Sequence, residues 1–487
     1  MINILLQNKK VFIYFLLILI LGSVLRIYNI NYDDLWSDEM ASFWISDPLI
    51  PFDETLSRVL SSNWMILYEI LLKYFHYFFG YDVHVSRYFS FFISILSLVF
   101  FGFLSLKIIK REAAILGFFL LSINIYHIKY SIELRSYILA FFLVTLFIYL
   151  VFKNVQLEKK MSNMKIFFIN LIALLMLFCH PYTLLVVGSF IFFRFLKIYK
   201  EKLKISREDI LLILSLIFTV FLFLLIYFQS SLKVFDENNL KIMSLDWIWQ
   251  VKPSFYTNFY FSKFFGSRLI GIIYLLILLY CIFKFRYSLI NQSNIYTFFV
   301  ILLFFSYFIP LTLGYILKPI LVDRYIFFVL IPIICLLSHF IFLFKSRITR
   351  YFFIILICTS TFLNLFLKEN TGRQFYTTIN PTKPEIVKAL QFIDNSNIKI
   401  FTINRDDRYS INTNEIYQNY LLKYLDKLKI NLQYVKYNDI KEKPSKIWVI
   451  YIMDTTKKEF QISENYLSYK INEEKFFNNL NLYLLLK

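Results

Sequence analysis

Glycine, proline and cysteine are all scarce in this chain, which has only 9 Gly, 10 Pro and 4 Cys among its 487 residues. So little glycine and proline excludes collagen-like repeats and the low-complexity composition of disordered chains. The cysteines show neither the pattern of a disulfide framework nor the spacing of metal ligands. All four lie within apolar runs, at Cys179, Cys281, Cys335 and Cys358. We therefore interpret them as core or lipid-facing residues.

Charged residues are also scarce, at 17% of the chain, whereas 58% of the residues are hydrophobic and 21% are aromatic. Typical soluble proteins have about 25% charged and about 45–50% apolar residues. Because a soluble fold cannot bury so much apolar surface, most of this chain must be surrounded by lipid. The net charge of +19 does not indicate a nucleic-acid partner, since the basic residues are spread over short loops between apolar runs.

Eleven stretches are long and apolar enough to cross a membrane as helices, so we predict a mainly α, polytopic membrane protein. The first resembles a signal peptide, with Lys9 and Lys10 ahead of an apolar run. Because no small-residue cleavage site follows it, we expect an uncleaved anchor. The predicted spans are 11–30, 84–107, 112–128, 135–153, 164–179, 182–198, 209–228, 268–285, 295–315, 320–343 and 350–367.

The orientation of the spans follows from the basic residues between them. Connections rich in Lys and Arg alternate along the chain, for example at 107–111, 194–207 and 345–350. Cytoplasmic connections carry the excess of Lys and Arg, so these connections and the N-terminus are predicted to lie inside. The acidic stretch 33–54 falls on the opposite side. An odd number of spans then puts residues 368–487 outside the cytoplasmic membrane.

The part of the chain after the last predicted span has a different, more polar composition. Its runs 398–404 and 446–452 are typical of buried strands, and 413–428 has helical periodicity. We therefore predict two domains, a transmembrane domain at 1–367 and a small extracytoplasmic α/β domain at 368–487. We expect the second domain to carry no catalytic group and to cover the site or recruit the acceptor.

Polar side chains are costly at membrane depth, and those of this chain collect on the predicted outer side. Asp38 and Glu39 lie in the first outer loop, at about 31–83. Taken singly, each polar group also fits a structural role, such as a solvated loop, a helix cap or an interfacial anchor. Together on one side, they predict an outward-facing site. The other members fall in three further outer turns: His127, Glu133 and Arg135; His180 and Tyr182; Lys318, Asp323, Arg324 and Tyr325.

These residue types suit a limited range of chemistry. Carboxylates remove a proton from a hydroxyl or amine, or hold a divalent cation, and arginines bind phosphate oxygens through a planar fork. A site that faces outward in a membrane cannot use nucleotide sugars, which are polar and cytoplasmic. It can use a sugar carried on a lipid phosphate, whose tail stays in the bilayer. The combination therefore predicts glycosyl transfer.

Four stretches also resemble a known superfamily. They are 35–39 (LWSDE), 130–138 (YSIELRSYI), the His-containing turn at 179–182, and 318–332 (KPILVDRYIFFVLIP). These resemble motifs of the bacterial GT-C membrane glycosyltransferases, the superfamily of protein O-mannosyltransferases and lipid A aminoarabinose transferase. The segment 380–393 is similar to the one that leads into the small exterior domain of that family. The resemblance runs over nearly the whole chain.

The resemblance implies an inverting transfer from a polyprenyl-phosphate sugar to an acceptor outside the cytoplasmic membrane. Asp38 or Glu39 would be the general base or would orient it. Arg135 and Arg324 would hold the donor phosphate, with Glu133 positioning Arg135. We add Lys318 to the phosphate-binding residues, and His127, His180, Tyr182 and Tyr325 to the supporting ones. The His-Pro-Pro motif that many relatives have is missing at 61–68, which leaves open the acceptor (lipid, glycan or protein) and a divalent cation as cofactor.

Two other functions compete with this hypothesis. A transporter or flippase of lipid-linked saccharides would also have many spans with a few buried charges. Such proteins typically show repeats, helices broken by Gly or Pro, and polar residues at the membrane midplane. This chain has few glycines and no internal repeat, and its polar groups lie at one rim. A polymerase or ligase of surface polysaccharide would differ mainly in its acceptor.

Overall fold

Helices dominate the computed structural model of the protein. Its described residues are 9–28, 30–31, 33–62, 66–155, 162–201, 206–234, 250–286, 294–366, 383–405, 413–435, 444–452, 469–477 and 480–487. The predicted domain boundary at 367/368 therefore lies outside the described residues.

The helices before that boundary are numbered in chain order. They are α1 (Lys9–Ile27), α2 (Ser37–Ile45), α3 (Phe52–Ser62), α4 (Ile66–Phe79), α5 (Val83–Ile108), α6 (Arg111–Ser122), α7 (Ile125–Tyr130), α8 (Tyr137–Val155), α9 (Asn163–Cys179), α10 (Leu184–Glu201), α11 (Arg207–Val234), α12 (Pro253–Asn258), α13 (Phe261–Phe264), α14 (Arg268–Lys284), α15 (Asn294–Ile316), α16 (Leu330–Leu343) and α17 (Arg347–Asn364). Short 3₁₀ helices, Pro181–Thr183 and Asp323–Val329, directly precede α10 and α16.

Each of the eleven predicted spans falls on one of these helices or on a consecutive pair. Two of these helices, Tyr137–Phe152 and Asn163–Cys179, are apolar but shorter than the six long stretches given below. The fold is therefore that of a multi-pass membrane protein, and the number of eleven crossings stays a prediction. Within the described residues, six helical stretches are long and apolar enough to cross a membrane: Lys9–Ile27, Val83–Ile108, Pro181–Tyr199, Arg207–Tyr227, Ile295–Ile316 and Asp323–Leu343.

The third predicted span, 112–128, is not one helix, which corrects the sequence analysis. The chain breaks between α6 and α7, where the Asn124 side chain accepts from the backbone N–H of His127 at 2.9 Å and so caps α7. At the end of α6, the Arg26 guanidinium donates to the Ser122 carbonyl at 2.7 Å. Because side chains bind these terminal backbone groups, the helix can end inside the protein.

Apolar side chains remain exposed on the outer helices, as lipid-facing surfaces require. Leu214, Phe218 and Phe221 of α11 are each more than half exposed. In contrast, α16 is buried on almost every side. We infer that α16 is a central helix and that α11 faces the lipid.

The C-terminal part forms a mixed five-stranded sheet with helices α18 (Ile386–Asp394) and α19 (Thr413–Leu428). The strands are β1 (Ile400–Arg405), β2 (Gln433–Tyr434), β3 (Lys446–Ile452), β4 (Lys470–Phe477) and β5 (Leu480–Leu486). Phe401 pairs with Trp448, and Ile450 pairs with Leu482. The strand order is β2-β1-β3-β5-β4, in which β2, β1 and β3 are parallel and β5 and β4 are antiparallel to their neighbours.

The sequence analysis predicts strands β1 and β3 of this sheet and helix α19, but not the β4–β5 hairpin. The reason lies in β4, whose sequence KINEEKFF is rich in charge and lies exposed at the edge of the sheet. Edge strands need no buried face, so β4 lacks the apolar pattern that identifies a buried strand.

The C-terminal part of the chain contacts the segment between α1 and α5 through several hydrogen bonds. The Asp34 carboxylate accepts from the backbone N–H of Val387 at 3.0 Å, in the first turn of α18. The Tyr81 hydroxyl donates to Asn419 Oδ1 at 3.0 Å. Asp34 therefore caps a helix of the other domain and ties the domain to the membrane part.

Candidate active site

Three residues from separate segments of the chain meet at the start of α2. Arg324 Nη2 lies 3.9 Å from Asp38 Oδ2. Arg135 Nη1 donates to the backbone oxygen of Asp38 at 3.2 Å. The structure thus brings together the predicted general base and the two arginines predicted to bind phosphate.

Each of these residues lies where the chain turns back at a helix end. The backbone N–H of Trp36 donates to Glu39 Oε2 at 2.8 Å, which stabilises the first turn of α2 and presents Asp38 beside it. Arg135 lies in the turn before α8, where its N–H donates to the Glu133 carbonyl at 2.9 Å. Helix ends are thus the elements that carry the polar groups.

Exposure separates the roles of the three residues. The Asp38 side chain is 40% exposed and the Arg324 side chain is 26% exposed. Arg135 is buried and also donates to Ser42 Oγ at 3.4 Å, one turn along α2 from Asp38. Asp38 and Arg324 are therefore accessible to a substrate, whereas Arg135 braces α2 from behind.

Glu39, the other predicted acid, is buried and held on several sides. Besides Trp36, its carboxylate accepts from the backbone N–H of Leu134 at 3.0 Å and from Lys383 Nζ at 2.5 Å. Burial by itself raises the pKa of Glu39, but the Lys383 ammonium and the Arg87 guanidinium outweigh it and hold this pKa below its usual range. Glu39 is therefore an ionised structural carboxylate that links α2 to the C-terminal domain.

A narrow pocket lies beside Asp38 and Arg324 and is walled by aromatic rings. Tyr137, His180, Arg324, Tyr325 and Phe327 are among its lining residues. The His180 ring centroid lies 5.1 Å from that of Tyr325 and 5.7 Å from that of Tyr137. The Arg324 guanidinium carbon lies 5.7 Å from the Tyr325 ring centroid. The pocket is thus apolar in its walls and cationic on one side.

The turn 179–182 fixes the orientation of His180 in this pocket. The backbone N–H of Tyr182 donates to His180 Nδ1 at 3.3 Å, and the Tyr182 hydroxyl donates to the Ile320 carbonyl. Burial, followed by the positive charges of Arg135 and Arg324, lowers the pKa of His180 to about 3. His180 is therefore a neutral imidazole at physiological pH.

Comparison with known proteins finds similarity in structure only. No known protein family and no curated protein matches the sequence. Among solved structures, that of ArnT from Cupriavidus metallidurans in the apo state has a TM-score of 0.53 and 8% sequence identity, over 98% of both chains.

Two structures of the Archaeoglobus fulgidus oligosaccharyltransferase are also similar. One, in complex with Zn and sulfate, has a TM-score of 0.51 and 9% identity, over 90% of this chain and 68% of that one. The other, tethered with an acceptor peptide, has a TM-score of 0.50 and 11% identity, over 91% and 69%. The chain has the GT-C fold. This confirms the resemblance predicted from the sequence motifs.

Two further predicted residues, Glu133 and Lys318, lie on the connections that carry Arg135 and Arg324. The Glu133 carboxylate lies 3.7 Å from Lys129 Nζ, so its ion pair is with Lys129. Its backbone carbonyl accepts from the N–H of Arg135, as described above, so Glu133 contacts Arg135 through the backbone. Lys318 is exposed on the segment that joins α15 to the 3₁₀ helix of Arg324.

His127 lies in a hydrogen-bond network of its own, with partners other than Asp38 and Arg324. Its Nδ1 lies 2.8 Å from Arg26 Nη2, and its Nε2 lies 2.9 Å from Ser97 Oγ. These partners belong to α1 and α5, and all three residues are fully buried. The break between α6 and α7 turns His127 inward, so it stabilises the helix ends there.

The sequence analysis missed an acid behind the candidate site. Glu69 of α4 is fully buried, and its Oε1 accepts from Ser42 Oγ at 2.8 Å. Ser42 also accepts from Arg135. This series of hydrogen bonds, Glu69–Ser42–Arg135, therefore connects α4 and α2 to the turn before α8. A carboxylate inside the apolar run 66–75 is the signal that could have identified it.

The acid Asp323, which precedes Arg324 in the sequence, has its partner on α7. Its Oδ2 accepts from the Tyr126 hydroxyl at 2.7 Å. This bond fixes the start of the 3₁₀ helix against α7 and so positions the next residue, Arg324. Over the parts of the chain that the structure describes, three or more His, Cys, Asp or Glu side chains do not converge as a metal site would require.

Proposed function

We propose that this chain is a membrane glycosyltransferase that moves a sugar from a polyprenyl-phosphate donor to an acceptor outside the cytoplasmic membrane. The observation that carries the proposal is the pair of Asp38 and Arg324, 3.9 Å apart beside an aromatic pocket in a GT-C fold. An accessible carboxylate and an accessible guanidinium are the two groups that such a transfer needs.

In the proposed reaction, Asp38 removes the proton from the acceptor hydroxyl or amine. The acceptor atom forms its bond to the anomeric carbon, while the bond from that carbon to the phosphate oxygen breaks. The electron pair of that bond leaves with the polyprenyl phosphate, whose added charge Arg324 stabilises. Attack from the side opposite the phosphate inverts the configuration at the anomeric carbon.

The other predicted residues complete the proposed site. Arg135 holds α2 so that Asp38 faces the pocket, and it adds positive charge behind the phosphate. Tyr325 lines the pocket and Tyr182 packs against it, and we assign Lys318 as a further phosphate contact. The aromatic and apolar lining suits a donor whose lipid tail stays in the bilayer.

The side of the membrane is also part of the proposal. Under the predicted orientation, the site faces outward, where lipid-linked sugars are the available donors. The acceptor is a lipid, a glycan or a protein. The peptide acceptor tethered to the A. fulgidus oligosaccharyltransferase is one precedent among proteins with this fold.

The first experiment compares surface lipids and glycans by mass spectrometry in cells with and without the gene. We expect the deletion to remove one sugar residue from a surface molecule, and wild-type protein and Asp53→Asn to restore it. Asp53 is an exposed acid in the same outer loop and serves as the matched control. Asp38→Asn should not restore the sugar. Identical surface molecules in all strains would contradict the proposal.

A second experiment separates the transferase from the transporter alternative. Purified protein in detergent, with no closed membrane, should still transfer sugar from a lipid-linked donor in an extract of these cells. A flippase requires two compartments, so it would be inactive in detergent and active only in vesicles. Movement of the donor across vesicles without transfer would establish the transporter instead.

A further inference from the structure

One nitrogen in the pocket has no partner among the residues that the structure describes. His180 Nε2 is buried without a hydrogen bond, and the residue as a whole is only 3% exposed. Burying a polar group without a partner is unfavourable, so such groups are rare in native proteins. His180 is also one of the residues that line the pocket beside Arg324. A ligand in this pocket would supply the missing partner.

The hydrogen bond on the other side of the ring decides what Nε2 offers. Because Nδ1 accepts from the backbone N–H of Tyr182 at 3.3 Å, Nδ1 carries a lone pair and no proton. A neutral imidazole has one N–H, which must then be on Nε2. His180 therefore directs a hydrogen-bond donor into the pocket.

The charges around His180 Nε2 favour an acceptor that carries a negative charge. Arg135 and Arg324 lie close enough to oppose a positive charge on His180. The Arg324 guanidinium and the His180 Nε2–H thus line the same pocket, and Arg135 adds positive charge nearby. A neutral acceptor, such as a sugar hydroxyl, would leave this positive potential uncompensated, whereas an anionic oxygen compensates it.

We propose that the Nε2–H of His180 donates to an oxygen of the phosphate group of the lipid-linked donor, beside Arg324. This inference rests on the proposed function and adds a phosphate-binding residue to it. The bond strengthens during transfer, because the phosphate diester carries one negative charge and the released monoester carries up to two. His180 therefore contributes to holding the leaving phosphate.

The test measures the binding of farnesyl phosphate, a short-chain analogue of the released lipid, to the purified full-length protein in detergent. His180→Phe keeps a ring in the pocket but removes the donor, so we expect its Kd to rise about tenfold or more. His180→Gln places an amide N–H near the position of Nε2 and should stay within about threefold of wild type. His180→Asn ends nearer the position of Nδ1 and should lose affinity as His180→Phe does.

His339→Phe is the matched control, because His339 is another buried histidine and pairs with Tyr296 on α15, outside the pocket. Its Kd should equal that of wild type. A merely structural role for His180 would impair the Gln and Asn variants alike, so the split between them also decides the question if His180→Phe does not fold. Equal Kd values for wild type, His180→Asn and any folded His180→Phe would overturn the inference. If wild-type protein does not bind farnesyl phosphate but does bind farnesol, the proposed function itself fails.

Discussion

At the scale of single residues, Asp38 is the group on which the proposed chemistry depends. Its carboxylate is accessible, and Arg324 lies on one side of it. We predict that Asp38→Asn lowers turnover by about 10²–10⁴-fold, because a neutral amide cannot accept the acceptor's proton. Donor Kd should stay near normal, since the base contacts the acceptor. Single-turnover assays and donor titration would measure the two effects, with Asp53→Asn as the control. Full turnover in Asp38→Asn would remove this residue from the mechanism.

The two arginines differ in exposure, which predicts different responses to the same change. Arg324 is accessible, and its planar fork matches phosphate oxygens, so Arg324→Lys should weaken donor binding about tenfold while keeping the charge. Arg135 contacts the backbone of Asp38 and the hydroxyl of Ser42. Arg135→Lys should therefore affect turnover more than donor Kd, and Arg135→Ala more strongly still. Donor titration and turnover assays of all three variants would check this order.

Glu39 and Lys383 form an ion pair whose side chains are only 2% and 12% exposed. Removing one partner of a buried pair leaves a charge without compensation and typically costs about 3–5 kcal/mol. We predict that Glu39→Gln lowers the thermal midpoint in detergent and that the double variant Glu39→Gln/Lys383→Met recovers part of the loss. Asp394→Asn breaks the exposed pair with Lys399 and should have little effect. Additive losses in the double variant would contradict a coupled pair.

At the scale of elements, a residue from one connection caps a helix of the C-terminal part. Helix α18 has no side-chain cap of its own, and Asp34 of the first outer loop supplies the acceptor for its Val387 N–H. A loop side chain can therefore stabilise a helix that lies more than 350 residues further along the chain.

The Asp34 cap predicts a dependence of stability on pH. Burial raises the pKa of Asp34 to about 6, despite the Val387 hydrogen bond and the Arg87 charge. The folded protein therefore binds a proton more readily than the unfolded chain does. Binding of this proton adds to the free energy of unfolding. This contribution is fully present below about pH 4 and is lost as the pH rises through about 6.

Asp34→Asn keeps the acceptor for Val387 and cannot ionise. We expect this variant to be more stable than wild type at pH 8 and to lose that advantage near pH 4.5. Thermal midpoints of both proteins at the two pH values would measure the difference, with Asp394→Asn as the control. An advantage of equal size at both pH values would rule out Asp34 as the titrating group.

At the scale of the whole molecule, the predicted orientation places the C-terminal domain outside and the 200–208 connection inside. We predict that a cysteine at Lys399 is labelled by an impermeant maleimide in intact cells, whereas a cysteine at Arg207 is labelled only after the cells are opened. Protein without an added cysteine controls for the four native ones. Labelling of position 207 in intact cells would invert the orientation and, with it, the side of the site.

Much of the architecture follows from the sequence because it depends on local properties. Helix positions come from apolar runs, and the break after α6 is the main departure from them. The motif stretches 35–39 and 130–138 identify Asp38 and Arg135 as neighbours before any contact is known. His127, from an equally polar turn, lies in another network because the break between α6 and α7 turns it toward Arg26. The residues near His127 in the sequence do not indicate toward which partner its side chain turns.

The sequence by itself determined the membrane class, the helices and the motifs of the GT-C fold, since hydrophobicity and charge act over a few neighbouring residues. Only the tertiary structure decided which of two adjacent acids is accessible beside Arg324. Asp38 is 40% exposed beside Arg324, whereas Glu39 is buried against Lys383, 344 residues further along the chain. Such a contact depends on how distant segments pack, and burial and charge at one position depend on that packing.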